Sequence, residues 1–387
     1  MNCRTWTGIR VCLVAGLLVS SLAGTAHADE PPTPWYKLIT VNAFASTSYT
    51  WNFNDPASGT NQLRAFDFNH NSFVLDAVEL VVQKAVANKG DVGFRIDVAF
   101  GSVAKASAAR GLFRDPKSGQ SLDIDLQQAF ASYIIPIGRG LRVDFGKFVT
   151  PAGAELIDGY DGYNDNFSRG LLFTWAIPLT HTGFRLSYSF HDKFSATVML
   201  INGWDNVLDN NAAKSFGVSL AYLPLETLSI YLNYIGGPER DGNNSDFRHT
   251  LDLVASWKPH WRFALTLNAD YGIDMNAIST MTTGPVPTTL TSNAQWAGFA
   301  LYARVAVLKR LAFIARFEGF WDLDGFRTAV AQRLFSFTLT PEFKVTDSMV
   351  LRADVRYDQS DQFVFEKTDG SHRKYQPTLG INALYVF

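Results

Sequence analysis

The sequence predicts an all-β fold: a transmembrane antiparallel up-and-down β-barrel of about sixteen strands, placed behind a cleaved leader. Three observations carry that expectation. Segments of about ten residues alternate between apolar and polar side chains, the connections between them alternate between long and short, and the chain closes on an aromatic at the end of an alternating run, LGINALYVF.

The front of the chain comes first. Arg4 and Arg10 precede the apolar stretch VCLVAGLLVSSLAG, and Ala26-His27-Ala28 offers a small-x-small cleavage site before Asp29. That is the pattern of a secretory signal peptide at 1–28, and the apolar stretch is too short to span a bilayer as a helix. Cleavage takes Cys3 and Cys12, so the mature chain carries no disulfide framework, thiolate metal site or catalytic thiol. It also takes Arg4 and Arg10, leaving 32 bases against 36 acids and no basic stripe for nucleic acid. No linker, low-complexity tract or charge block divides 29–387, which therefore reads as a single barrel domain. Aromatics make up 14% of the chain, a load suited to girdles at a membrane interface.

The strands follow from period-two patterning, because successive side chains on a strand point to opposite faces. Val92, Phe94, Ile96, Val98 and Phe100 oppose Arg95 and Asp97. Trp261, Phe263, Leu265, Leu267, Ala269 and Tyr271 oppose Arg262, Thr266, Asn268 and Asp270. Phe313, Ala315 and Phe317 oppose Arg316 and Glu318, and Met349, Leu351, Ala353, Val355 and Tyr357 oppose Arg352, Asp354, Arg356 and Asp358. Each segment has the length of a tilted transmembrane strand. A soluble sandwich would alternate equally well, so the connections decide. Long segments at 52–71, 102–122, 149–182, 202–214, 237–246, 273–293, 322–330 and 359–372 alternate with short links such as PIGRG, HDK, KPH and LKR. Eight long loops on one rim and short turns on the other describe an outer-membrane barrel of sixteen strands, with both chain ends at the short-turn rim.

In that frame YQPTLGINALYVF is the last strand, and its lipid-facing series ends with Tyr385 and Phe387. It is similar to the C-terminal signature that the barrel-assembly machinery recognises. The expected partners are therefore outer-membrane lipid, that machinery and small polar solutes or ions, with a second copy of the chain left open.

The face opposite the lipid lines a lumen. The inward bases are Arg95, Arg142, Arg185, Arg262, Arg304, Arg316, Arg352 and Arg356; the inward acids are Asp97, Asp123, Asp125, Asp144, Asp252, Asp270, Glu318 and Asp354. An Arg on the lipid side near the midplane costs ~2–4 kcal/mol, so these charges must meet water or one another. Eight of each sign predict an aqueous pore of weak net selectivity, since sixteen strands leave an interior too wide for wall side chains to fill.

The third long segment, TPAGAELIDGYDGYNDNFSRGLLFTWAIPLTHTGF, is the longest. With the end of the preceding strand it carries Gly146, Lys147, Phe148, Thr150, Pro151, Gly153, Glu155, Ser168, Arg169, Phe173, Pro178, Thr180, His181, Thr182, Gly183 and Arg185. This pattern resembles the OmpL-like outer-membrane porin family, over about forty residues, with DGYDGYND inserting extra Gly and Asp into the usual spacing. The resemblance implies a porin barrel and says nothing of solute. By analogy with general porins, 149–182 is the candidate constriction loop, with Glu155, Asp158, Asp161 and Asp165 facing Arg95, Arg142 and Arg185, and Arg169 beside them.

Rival readings are weaker. Asp158, Asp161 and Asp165 could gather a calcium ion, but their spacing does not fit an EF-hand loop. Ser168 and His181 would suit a membrane-embedded hydrolase only if the fold paired them, and no G-x-S-x-G, H-E-x-x-H or P-loop motif is present. A loop-mediated adhesin or structural barrel is disfavoured by modest loops. The expectation is passive diffusion through a bacterial outer membrane, with no catalysis, cofactor or metal.

Overall fold

A computed structural model describes residues 34–281 and 289–387; the expected leader at 1–28 lies outside the described residues. The alternating segments form β1 (Thr40–Asn52), β2 (Ser72–Lys84), β3 (Val92–Phe100), β4 (Ile124–Ile135), β5 (Leu141–Val149), β6 (Thr180–His191), β7 (Phe194–Ile201) and β8 (Ser215–Leu225). They continue as β9 (Leu228–Pro238), β10 (Phe247–His260), β11 (Phe263–Met281), β12 (Thr289–Leu308), β13 (Leu311–Asp322), β14 (Gln332–Lys344) and β15 (Met349–Ser360). The last long loop holds a two-residue ribbon, β16 (Phe365–Glu366) with β17 (His372–Arg373), and β18 (Tyr375–Val386) ends the chain. Each barrel strand pairs antiparallel with its neighbours, and β18 pairs with β1 from Phe44↔Val386 to Asn52↔Thr378, closing a barrel of sixteen strands. Closure satisfies every ladder and leaves no open edge in hydrocarbon.

The faces are inverted relative to a soluble protein. On β15, Leu351 and Val355 are 40% and 56% exposed, whereas Arg352, Asp354 and Arg356 are 2–3% exposed. The apolar series meets lipid and the charged series meets the interior, as the period-two pattern requires. Tyr385 and Phe387 stand on the outer face with ring centroids 4.4 Å apart.

Three boundaries differ from expectation. β10 runs on to His260 and the turn falls at Trp261–Arg262, because the ladder shifts register between Trp257 and His260. Arg262 is therefore exposed on the short-turn rim over the Trp261 ring at 4.8 Å, and does not face the lumen. Asp123 lies on the long-loop side just before β4, exposed, 3.8 Å from Lys105 of α1 (Ser102–Ser107), a short helix in the second loop. The segment at 273–293 is largely ladder: β11 and β12 extend it, with Ile278↔Ser292 to Thr280↔Leu290 in register. Its Thr and Ile residues suit a strand, and its remaining residues 282–288 lie outside those described.

At the base of the third loop Gly146 and Gly183 face one another on β5 and β6. Their φ angles are +140° and +155°, and a Cβ on either would come within 2.1 Å of a neighbouring carbonyl oxygen. Only glycine fits both demands, and this pair sits where the strands give way to the long loop.

Candidate functional site

Between β5 and β6 the chain turns inward. The loop neck is fixed by His181, whose Nδ1 lies 3.0 Å from the Gly203 carbonyl oxygen and whose Nε2 lies 3.1 Å from Thr150 Oγ1. Beyond the neck the loop folds on itself. Asn164 donates its backbone N–H to Asp158 and its side-chain amide to the Leu156 carbonyl, both at 2.7 Å. Arg169 sits 3.1 Å from Asp158, donates to the Phe167 carbonyl and covers the Phe66 ring at 5.3 Å. These side-chain-to-backbone bonds replace the ladder that the segment lacks.

The folded loop docks against one side of the barrel through buried charges. Arg316 of β13 donates to Glu155 at 2.7 Å and pairs with Glu318 at 2.8 Å. Arg352 of β15 meets Asp158 at 3.1 Å, and Arg304 of β12 meets Asp165 at 2.7 Å and Glu342 of β14 at 2.6 Å. Asp354 accepts the backbone N–H and hydroxyl of Ser168, each at 2.7 Å. Arg356 donates to the Arg169 carbonyl, and Arg95 of β3 meets Asp161 at 2.6 Å. The short helix α2 (Leu171–Trp175) begins with Gly170 and Leu171 donating to Glu155 and Glu318. The buried loop acids Glu155, Asp158 and Asp165 each meet an arginine, which such burial demands.

Two other long loops clamp the structure from the rim. Arg327, between β13 and β14, donates to the Trp175 carbonyl at 2.6 Å and stacks over Trp204 and Trp296 at 5.0 and 5.3 Å. Its pKa is drawn down to about 10 by burial and by neighbouring Arg248. Asp205 accepts the N–H groups of Leu179 and Thr180 at 2.8 Å, and burial raises its carboxyl above the usual range.

The arrangement corrects the expected pairing. Of the loop acids only Asp161 reaches one of the three wall arginines named for it, namely Arg95; Glu155, Asp158 and Asp165 meet Arg316, Arg352 and Arg304 instead. Arg142 and Arg185 both turn to Asp144, each at 2.8 Å. Asp158, Asp161 and Asp165 are not gathered at one point: each neutralises a different arginine, and among the described residues no three His, Cys, Asp or Glu side chains converge. Ser168 and His181 are not paired: the serine serves Asp354 and the histidine serves the loop neck. Arg64, in the first loop, runs inside to Asp358 at 2.6 Å and lies outside any alternating pattern, since no periodicity marks a loop side chain. Glu342 was legible, since it shares the face of Ser336, Thr338 and Thr340.

The opposite side of the interior is left less covered. Several inward residues of β6–β9, namely Arg185, Ser187, Thr197, Ser219 and Tyr231, are half-buried, although Met199, Asn233 and Ile235 beside them are buried; the inward charges of β13–β15 are buried. Along that side and on β3 the side chains of Arg95, Arg142 and Arg185 are 13–23% exposed, while those of their wall partners Asp97 and Asp144 are only 1% exposed.

A closed barrel with a polar interior and a loop folded into it defines the porin class of transmembrane β-barrels. The chain belongs to the family described as "Putative beta-barrel porin-2, OmpL-like", which matches residues 38–387, so the resemblance read at 146–185 holds over the whole barrel. No curated protein matches the sequence. Among solved structures, the chain is similar to an anion-selective porin from Comamonas acidovorans, with 12% identity, TM-score 0.60, and 90% of this chain and 99% of that one covered. It is also similar to Salmonella typhi OmpF in complex with daunomycin (12%, TM-score 0.58, 90% and 97% covered). A third is Pseudomonas putida OprB (13%, TM-score 0.55, 90% and 94% covered). At these identities the likeness is one of fold.

Proposed function

We propose that the protein is a passive diffusion pore of the bacterial outer membrane. Small hydrophilic solutes and ions would pass between the docked third loop and the β5–β9 wall. The observation that carries this reading is the asymmetry of the interior: the loop packs against β12–β15, and the polar side chains opposite it remain partly accessible. On the β5–β6 wall the accessible charge is that of Arg142 and Arg185, with their shared carboxylate Asp144 tucked behind it, while the loop's Asp161 beside Arg95 is the exposed acid. Such a wall favours anions mildly, a shift from the neutral balance that counting inward charges implies. The pore works by size and field, without chemistry. The test is single-channel conductance and reversal potential of the refolded chain in a planar bilayer. Discrete steps with a modest anion preference support the reading; a folded, heat-modifiable barrel that carries no current overturns it.

A further inference from the structure

Around the lumen, four wall arginines are each matched by an acid of the third loop. Asp161 meets Arg95, Asp165 meets Arg304, Glu155 meets Arg316 and Asp158 meets Arg352, all between 2.6 and 3.1 Å. Arg142 of β5 and Arg185 of β6 receive no loop acid among the described residues. They share one wall carboxylate instead. Arg142 Nε reaches Asp144 Oδ1 at 2.8 Å, and Arg185 Nε and Nη2 reach Oδ2 at 3.0 and 2.8 Å. Two guanidinium groups on one carboxylate leave a local excess of positive charge.

Both groups are fixed in place. The Ser132 hydroxyl pins Asp144 at 2.6 Å, and Arg185 lies over the Phe148 and Phe130 rings at 4.6 and 5.5 Å. Stacking on an aromatic face orients the guanidinium plane. A guanidinium carries five N–H donors in a rigid fork. Arg185 spends Nε and Nη2 on Asp144, and Arg142 spends Nε on Asp144 and Nη2 on Ser132 at 3.4 Å. The Nη1–Nη2 end of each fork is left over, and both side chains are partly accessible from the lumen. Ser187 stands opposite Arg142 in the β5–β6 register and bonds the Thr197 hydroxyl of β7 at 2.8 Å, so one of those two hydroxyl hydrogens also remains.

We infer that Arg142 and Arg185 form a binding site for a small oxyanion, a phosphate or carboxylate group, inside the pore; for its solute the inference rests on the permeation route proposed above. The planar end of a guanidinium matches two oxygens of such a group, a geometry that a spherical halide cannot satisfy. The four loop acids make this same contact with the other wall arginines. Asp144, with its side chain 1% exposed, orients the two forks without facing a solute. A resident oxyanion cancels the local excess of charge and slows its own passage, so it competes with chloride for the route.

The refolded chain is read in two ways, with heat-modifiability as the check on folding. In planar bilayers in potassium chloride, sodium phosphate at pH 7 or sodium acetate is added at constant ionic strength, with sodium bromide as the halide control. Either oxyanion is expected to lower the chloride current with a saturating dose dependence that bromide lacks, and the stronger blocker identifies the group. In detergent, equilibrium dialysis with radiolabelled phosphate is expected to show one saturable site per barrel. Arg142→Gln and Arg185→Gln should each raise the half-saturating concentration about tenfold. Should either fail to fold, Arg142→Lys keeps the charge, removes the fork and is expected to weaken binding in the same direction. A conducting barrel with no saturable block by either oxyanion and no bound phosphate overturns the site and leaves the pore standing. A folded barrel that binds phosphate and carries no current keeps the site and overturns the pore.

Discussion

Arg316 on β13 and Glu155 in the third loop are 161 residues apart in sequence and 2.7 Å apart in the barrel, and both are buried. Removing one partner of a buried pair leaves an uncompensated charge, at about 3–5 kcal/mol. Arg316→Met strands Glu155 and Glu318 together, so its thermal midpoint should fall and its single-channel conductance should rise as the loop loosens. Unchanged conductance and stability would show that this pair does not hold the loop.

Arg142 and Arg185 share one carboxylate, Asp144, so their side of the lumen carries excess positive charge. Arg142→Gln with Arg185→Gln should move the reversal potential in a salt gradient toward cation preference, with conductance changing less than twofold. A reversal potential that stays in place would remove these arginines from the permeation path.

Glu239 follows β9 at the long-loop rim and accepts from Ser215 Oγ and the Trp204 N–H, each at 2.7 Å. Burial nevertheless raises its pKa to about 7. The folded state thus holds this proton more tightly than the unfolded chain, whose carboxyl titrates near 4.5. The stabilisation is complete below about pH 4.5 and is lost as pH rises through about 7. Thermal midpoints of the parent should decline across that window more than those of Glu239→Gln; equal slopes would refute the assignment.

Gly183→Ala puts a Cβ 2.1 Å from the Leu200 carbonyl oxygen at a φ of +155°. Strain of about 1–3 kcal/mol is expected, with slower refolding or a lower midpoint in urea. Because the site lies at the loop neck, altered gating noise in single-channel records should accompany it. A variant that refolds with the parent's midpoint would refute the close approach.

Phe387 packs against Tyr385 on the outer face, and its N–H donates to the Ala43 carbonyl at 2.9 Å. Phe387→Ser keeps that backbone bond, so refolding in detergent should be nearly unchanged. Yield in the outer membrane of cells should fall several-fold if the assembly machinery reads the aromatic. Equal yields would separate this residue from recognition.

The wall of this protein was legible from sequence alone. Side-chain alternation on a pleated strand is a local property, so Leu351, Val355 and Tyr357 opposite Arg352, Asp354 and Arg356 assign lipid and lumen without tertiary information. The long and short connections likewise determined the strand number and placed both ends on one rim. The tertiary structure alone decided what the third loop touches. Closing the sheet sets the azimuth of each strand around the lumen, and that azimuth brings Glu155 to Arg316, Asp158 to Arg352 and Asp165 to Arg304, leaving Arg142 and Arg185 to Asp144. Period two tells a residue which way it faces; only barrel closure tells it whom it meets.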